Sequence, residues 1–273
     1  MKPCISEATT LPQTFTDDVA AFAAAGCEGM EVWLTKLETH LETHSGADTL
    51  KLLEDHGLAL AAAAYQGGLL LSQGEPRRAH FDHFRRRLEL CARFGIPALL
   101  VVADFVEAVD ATALGRAVVS LAEAGQAAAG FGVRLALEFR GKATFCASLD
   151  TAVALVGQCG QANVGVCLDA FHYQTGPSKP DDLALLTRAN LAHVQLCDLA
   201  GVPRELAADA DRVLPGDGDI RLGAIMGRLR EIAYDGWVSL ELMNPTLWQL
   251  PPASVAEVGL AALRRVITPS ATA

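Results

Sequence analysis

Four residues able to bind a metal ion stand at or near the ends of apolar segments in the second half of the chain. They are Glu138 in "LALE", Asp169 in "VCLD", Gln195 in "HVQL" and Glu241 in "VSLE". Three carboxylates close together would repel one another, and burial would disfavour their ionised forms. A divalent cation removes both penalties, and an all-oxygen ligand set suits Mg²⁺ or Mn²⁺ more than Zn²⁺. These residue types therefore predict one divalent ion, Mn²⁺ or Mg²⁺, with Co²⁺ and Zn²⁺ left open and no other cofactor.

Each of these residues also has a structural interpretation. A carboxylate at the end of a strand often caps the next helix or forms a salt bridge. Gln195 taken alone reads as a hydrogen-bonded core amide, with His193 one layer deeper as its partner. His172, in "DAFH", lies three residues after Asp169 and is interpreted either as a loop histidine or as an acid–base or substrate-contacting residue. The recurrence of polar residues on four successive segments favours the functional interpretation.

Four further residues are weaker candidates for contacts with a substrate. Glu31 ends the second apolar segment, and Gln66 precedes two glycines that shape a turn or a pocket floor. Arg204 and Arg212 follow the "HVQLCD" segment and suit a substrate hydroxyl, carboxylate or phosphate. The alternatives are a salt bridge for Glu31 and pairing of the arginines with nearby acidic residues.

The elements that position these residues alternate along the chain. Apolar segments predict eight strands at 4–8, 29–34, 58–65, 98–103, 133–139, 163–170, 192–198 and 237–242. Helical patterns lie between them, and the ligand candidates are separated by 31, 26 and 46 residues, which fits one strand–helix unit each. Eight such units in 273 residues predict an α/β fold, a (β/α)8 TIM barrel. A doubly wound open sheet is the alternative, but the sequence has neither a GxGxxG nor a GxxxxGK[ST] motif.

Local signals mark several helix ends. Thr16 is the predicted cap of the first helix and Gly26 its predicted end. A later helix is expected to begin near Pro76 and to end before Gly95. No linker interrupts the pattern, so residues 1–273 are predicted to form a single domain, with 268–273 as a frayed tail.

The composition limits the classes of binding partner that we expect. The net charge of −10 and the pI of about 5.1 are poorly suited to binding a nucleic-acid backbone. No segment reaches the ~18 apolar residues needed to cross a bilayer. The seven cysteines are scattered without CxxC spacing, which favours reduced thiols and a cytoplasmic location. The expected partner is a small molecule, with no nucleic acid and no membrane, and a homo-oligomer is left open.

The motifs "ALEFRG", "VGVCLDAFHYQTG", "HVQLCD", "LPGDGDI" and "WVSLEL" resemble the xylose-isomerase-like barrels, a superfamily of sugar isomerases and epimerases. The resemblance covers nearly the whole chain and implies that Glu138, Asp169, Gln195 and Glu241 bind the metal. The departure is Gln195, since most sugar epimerases of the family have histidine there. A glutamine is similar to the 3-dehydroshikimate dehydratases, as is the "RVLPGDGDI" segment that begins at Arg212.

The family chemistry implies proton transfer next to a carbonyl. The cation would stabilise an enediolate while Glu138 and Glu241 act as the base and the acid. Return of the proton gives a sugar isomerase or epimerase, which is the first hypothesis for a polyhydroxylated substrate. Loss of a β-hydroxyl, with His172 as its acid, gives the alternative, a dehydratase of a cyclic hydroxy-ketone such as 3-dehydroshikimate or an inosose.

Two other functions fit the residues less well. The superfamily also contains a three-zinc endonuclease that needs extra histidines after the third and fourth strands, where this chain reads "AAYQGG" and "VVADF". A non-catalytic carbohydrate-binding or partner subunit would need no acid–base pair, so the presence of both Glu138 and Glu241 argues against it.

Overall fold

The computed structural model describes residues 1–268. Within them are ten strands: β1 Lys2–Ser6, β2 Gly29–Trp33, β3 Ala59–Gln66, β4 Ala98–Val102, β5 Arg134–Glu138, β6 Val164–Asp169, β7 Leu191–Leu196, β8 Asp198–Leu199, β9 Arg212–Val213 and β10 Trp237–Leu240. Eight of them form a closed parallel barrel in the order β1–β10–β7–β6–β5–β4–β3–β2. The predicted barrel fold is thereby confirmed. The antiparallel pair β8–β9 lies outside it.

Nine α-helices are found in the described part of the chain: α1 Phe15–Ala24, α2 Leu34–Leu41, α3 Gly46–Asp55, α4 Gly74–Phe94, α5 Ala111–Ala129, α6 Leu149–Cys159, α7 Ala170–Thr175, α8 Leu222–Glu231 and α9 Pro252–Ile267. Short 3-10 helices occur at Glu7–Thr10, Pro180–Leu185, Asp209–Asp211 and Leu247–Gln249. No helix of residues 1–268 is long and apolar enough to cross a membrane. Of the predicted tail 268–273, residues 269–273 lie outside the described residues.

Residue contacts divide the chain into two compact units, one formed by Met1–Ala61 with the chain from Gln195 onward, the other by Ala62–Val194. In the first unit, β1 pairs with β2 and β10, which places Ser6 opposite Glu31 and Ile5 opposite Leu240. The side chains of Ile5 and Leu240 are fully buried. The prediction of one domain over residues 1–273 stays a prediction.

In the second unit, β4, β5 and β6 pair in regular parallel register. Leu99 lies opposite Leu135, which in turn lies opposite Val164, and all three are buried. The same register carries Glu138 at the end of β5 opposite Cys167 of β6. Carboxyl ends of parallel strands meet at one edge of a sheet, where enzymes of this architecture carry their sites.

The structure confirms the predicted end of α4 but places the cap of α1 at a different residue. Gly95 follows α4 with a φ of 66°, the left-handed conformation that glycine adopts without strain. The cap of α1 is Thr14 and not the predicted Thr16, because the side chain of Thr14 accepts the backbone N–H of Asp17 and the Asp17 carboxylate accepts the N–H of Thr14.

A buried charged cluster of Glu7, Asp18 and Lys36 lies in the first unit. Lys36 Nζ is 2.5 Å from Asp18 Oδ2 and also donates to the carbonyl oxygen of Thr10, while Glu7 Oε2 accepts the N–H of Trp33. Burial raises the pKa of Glu7 well above its usual range, and the nearby Asp18 carboxylate raises that pKa further. One lysine therefore faces two buried carboxyl groups.

We expect the Glu7→Gln variant to be more stable than the wild type at about pH 8. Because the pKa of Glu7 is raised on folding, its protonated form contributes stability that is fully present below the unfolded pKa of about 4.3 and is lost as the pH rises through the folded pKa. Glutamine mimics the protonated form at every pH. Urea denaturation at about pH 4 and pH 8 measures the difference, and the exposed control Glu28→Gln should follow the wild type. Lower stability of Glu7→Gln at pH 8 would contradict this account.

Candidate metal centre and glutamine network

The first candidate cluster consists of Glu138, Asp169 and His172. Glu138 ends β5, Asp169 ends the neighbouring β6, and His172 lies in α7 directly after it. His172 Nε2 is 3.3 Å from Glu138 Oε1 and 3.8 Å from Asp169 Oδ2. All three side chains are buried, and one ligand atom from each lies within 4.8 Å of the others. We refer to these three residues as the acidic cluster.

Asp169 has two functions in this cluster. Its Oδ1 atom accepts the backbone N–H of Phe171 at 2.6 Å and that of His172 at 3.4 Å, so it caps α7. Its Oδ2 atom faces the ring of His172. Asp169 therefore caps the next helix, as the structural interpretation of a strand-end carboxylate predicted. Its second carboxylate oxygen is still directed into the acidic cluster.

The donor set of the acidic cluster fits a divalent cation. Two carboxylates and an imidazole are common ligands of Zn²⁺, Mn²⁺ and related ions. The close approach of two buried carboxylates is unfavourable without positive charge, which a divalent ion supplies. His172, proposed from sequence only as an acid–base or substrate-contacting residue, is thus also a candidate ligand. Its signal is the spacing of three residues from Asp169 at the start of a helix, which returns the side chain toward the strand end.

The second group, which we call the glutamine network, is centred on the buried amide of Gln195. Its Nε2 atom donates to Glu31 Oε1 at 3.0 Å and to Glu241 Oε1 at 2.9 Å. Ser6 Oγ donates to the same Glu31 oxygen at 2.8 Å. These four residues are at most 5% exposed, so the amide of Gln195 bridges two carboxylates away from bulk water.

Arg212 completes the glutamine network. Its Nη1 atom is 3.0 Å from Glu241 Oε2, and its Nη2 atom is 2.8 Å from Asp209 Oδ1. Arg212 is 1% exposed and lies on β9, whose pairing with β8 fixes its backbone. Both oxygens of Glu241 are therefore held, one by the Gln195 amide and one by the Arg212 guanidinium.

The remaining weak candidates lie in different surroundings. Gln66 ends β3 and is 2% exposed; its Nε2 atom donates to the carbonyl oxygen of Gly67, and its Oε1 atom has no partner among the described residues. The side chain of Arg204 is 53% exposed, and its Nε atom is 3.3 Å from the Glu205 carboxylate. Arg204 and Arg212 thus both form the acidic pairings considered from sequence. Their contacts with a substrate stay a prediction.

Sequence reasoning missed the function of Asp198, the last residue of "HVQLCD". Its carboxylate accepts the backbone N–H groups of Gly216 and Ile220, so the "PGDGDI" loop winds around it. A Cβ atom at Gly218 would lie 2.5 Å from the Asp198 carboxylate, which explains why glycine occupies that position. This part of the motif organises the loop after β9.

The fold is a closed parallel barrel, and the acidic cluster is a candidate metal site within it. A sequence model of the xylose isomerase-like TIM barrel family matches residues 19–266. The chain belongs to that family. The inosose isomerase of Bacillus velezensis is 28% identical over 258 residues, which cover 92% of this chain and 91% of that protein. The 3-dehydroshikimate dehydratase of Pseudomonas aeruginosa is 26% identical over 261 residues, which cover 93% of this chain and 40% of that protein. The crystal structure of the IolI protein with a bound zinc atom superposes with a TM-score of 0.92, 26% identity and 98% coverage of both chains.

Proposed function

We propose that this enzyme is a divalent-metal-dependent isomerase or epimerase of a polyhydroxylated ketone, with an inosose as the first substrate to test. The observation that carries the proposal is the buried acidic cluster, in which Glu138, Asp169 and His172 bring three potential ligand atoms within 4.8 Å of one another. The similarity to inosose isomerases over 92% of this chain supports the substrate class.

The proposed ligands are Glu138, Asp169, Gln195 and Glu241, with His172 as a further candidate. Each of the four stands at or next to the carboxyl end of a barrel strand. The zinc in the similar IolI structure supports a divalent ion. Mn²⁺ or Mg²⁺ is proposed as the native ion because the carboxylate and amide oxygens outnumber the single imidazole.

The protein residues move the proton. The ion supplies positive charge that stabilises the oxygen of an enediolate. Glu138 and Glu241 are the proposed acid–base pair: one carboxylate removes the proton from the carbon next to the carbonyl, and the other returns a proton to the neighbouring carbon or to the opposite face. The ion pair with Arg212 and the hydrogen bond from Gln195 fix the direction of the Glu241 carboxylate.

A dehydratase is the second candidate, favoured by Gln195 and by the similarity to 3-dehydroshikimate dehydratases. The same proton removal would be followed by loss of a β-hydroxyl. His172, whose Nε2 atom is 3.3 Å from Glu138 Oε1, is the proposed acid that protonates the departing oxygen.

Incubation in D₂O separates these activities. With Mn²⁺ or Mg²⁺ present, we expect deuterium at the carbon next to the carbonyl of an inosose, detected by NMR, and no uptake with Glu241→Gln. A dehydratase would instead produce a new conjugated chromophore from 3-dehydroshikimate. Absence of both signals across inososes, ketoses and cyclic hydroxy-ketones, with the protein loaded with metal, would refute the proposed function.

Location in the cytoplasm is part of the same proposal. All seven cysteines are buried, and within residues 1–268 none of them forms a disulfide. Burial raises the pKa of Cys91 and of Cys146 to about 12, so both remain protonated thiols near neutral pH. Protonated, buried thiols are compatible with a reducing compartment.

A further inference from the structure

Two carboxylates hold the amide nitrogen of Gln195. A primary amide nitrogen carries two hydrogens, and the nitrogen of Gln195 donates one to Glu31 and one to Glu241 at 3.0 and 2.9 Å. We propose that Glu31 is a positioning residue that fixes this amide, with the nitrogen toward the carboxylates and the oxygen turned toward the divalent cation. The inference rests on the proposed function and concerns how that site is assembled.

The reversed orientation of the amide is strongly disfavoured. A rotation of 180° would place the carbonyl oxygen of Gln195 against oxygens of Glu31 and Glu241, and an ionised carboxylate has no hydrogen to donate. Gln195 and Glu31 are 0% exposed and Glu241 is 5% exposed, so water does not screen this repulsion. Two acceptors therefore select one orientation, whereas Glu241 alone would leave the second N–H of the amide without its partner.

Glu31 is itself held in place by the barrel. It lies on β2 opposite Ser6 of β1, and Ser6 Oγ donates to the Glu31 oxygen that accepts from Gln195. A carboxylate anchored on paired strands has little freedom to move. It can therefore impose its geometry on the amide, as outer hydrogen bonds do for ligands at other metal sites.

This arrangement also explains why a glutamine suits position 195. A glutamine that binds a cation through its oxygen keeps two N–H groups, one for each carboxylate. A neutral imidazole that binds through one nitrogen keeps a single N–H. A histidine at this position could donate a hydrogen bond to only one of the two carboxylates, Glu31 or Glu241. Glu31 and Gln195 therefore act as a matched pair.

Calorimetric titration of the metal-free protein with Mn²⁺ tests the proposal. We expect Glu31→Met, which keeps the side-chain length but removes the acceptor, to weaken Mn²⁺ binding about 10- to 100-fold. Glu31→Gln, whose amide oxygen still accepts, should recover most of that affinity. The exposed glutamate of α3 provides the matched control Glu54→Met, which should bind Mn²⁺ as the wild type does.

A double-mutant cycle shows whether Glu31 acts through the amide. In a Gln195→Ala background, Glu31→Met should change the Mn²⁺ affinity by less than about twofold, because the group that Glu31 positions is gone. An equal loss in both backgrounds would mean that Glu31 acts on the cation by its charge alone, and would overturn the proposal. Unchanged binding in the single variant Glu31→Met would overturn it as well.

A second measurement needs no metal. In the ¹⁵N-labelled metal-free protein, the two side-chain N–H protons of Gln195, assigned by their loss in Gln195→Ala, should exchange slowly with solvent and should exchange faster in Glu31→Met. Unprotected protons in the wild type would refute the positioning by Glu31. A second outcome is that these protons are protected but the wild type binds neither Mn²⁺, Mg²⁺ nor Zn²⁺. That outcome would refute the proposed metal site, and with it the proposal that the Gln195 oxygen faces a cation.

Discussion

The Glu138→Gln variant is expected to purify without the divalent ion and to lose about 10²–10⁴-fold in turnover. The substitution removes the anionic charge of a proposed ligand in the acidic cluster, and it removes one of the two proposed acid–base carboxylates. Glu138 is buried, and its Oε1 atom lies 3.3 Å from His172 Nε2. An exposed side chain therefore cannot take the place of the lost carboxylate. Elemental analysis of both proteins and initial rates of deuterium uptake measure the two losses.

The control for this experiment is Glu123→Gln, the same chemical change at a half-exposed side chain paired with Arg77 on the helical layer. It should retain the wild-type ion content and turnover. Circular dichroism should show the folded state for both variants. Retention of one ion per chain in Glu138→Gln would remove Glu138 from the ligand set. No ion in the wild type, even after Mn²⁺ or Mg²⁺ is added, would mean that the acidic cluster is structural.

The sequence was sufficient to predict the eight barrel strands, and the reason is physical. Strands of a parallel barrel are covered on both faces, so they appear as short runs of apolar residues bounded by glycine and polar turns. β4, with the sequence "ALLVV", shows this pattern, and every one of its residues is buried. The largest displacement is at β1, predicted over 4–8 and found at Lys2–Ser6, because Glu7 begins a 3-10 helix.

Two local features could not be predicted from the sequence pattern. The strands β8 and β9 have two residues each, which is too short to show any periodicity. The cap of α1 was placed at Thr16 because threonine is a common capping residue, but Thr14 forms the reciprocal bonds with Asp17. The choice between two threonines depends on the backbone conformation before the helix, which composition does not report.

Side-chain partners in the site were the least predictable feature. Glu31 and Gln195 are 164 residues apart in the chain, and nothing local in either segment signals their hydrogen bond. Strand-end position was enough to select Glu138 and Asp169, since it depends only on where an apolar run stops. The use of Glu31 to hold an amide, and of Arg212 to hold Glu241, arises from the folded arrangement of distant segments.

Replacement of Arg212 by methionine is expected to lower the free energy of unfolding by about 3–5 kcal/mol, as removal of one partner from a buried ion pair does in other proteins. Arg212 is 1% exposed and faces the carboxylates of Glu241 and Asp209, with distances of 3.0 and 2.8 Å. Methionine fills similar space but removes the guanidinium that pairs with the buried Glu241 carboxylate. The urea midpoint at unchanged slope measures the loss.

Arg204→Met is the matched control. Arg204 pairs with Glu205 at 3.3 Å, but the two side chains are 53% and 72% exposed, so solvent screens the pair. Its removal should leave the urea midpoint close to that of the wild type. Equal midpoints for Arg212→Met and the wild type would show that Glu241 does not depend on this guanidinium.

The Arg212→Lys variant distinguishes charge from geometry. The guanidinium reaches Glu241 through Nη1 and Asp209 through Nη2 and Nε, whereas an ammonium group is a point charge that cannot match this planar fork. If charge alone stabilises Glu241, lysine should restore both the urea midpoint and the turnover. If the fork also sets the direction of the Glu241 carboxylate, lysine should recover stability while turnover remains low. We expect the second result, because a proton-transfer carboxylate must be held in one geometry as well as kept ionised.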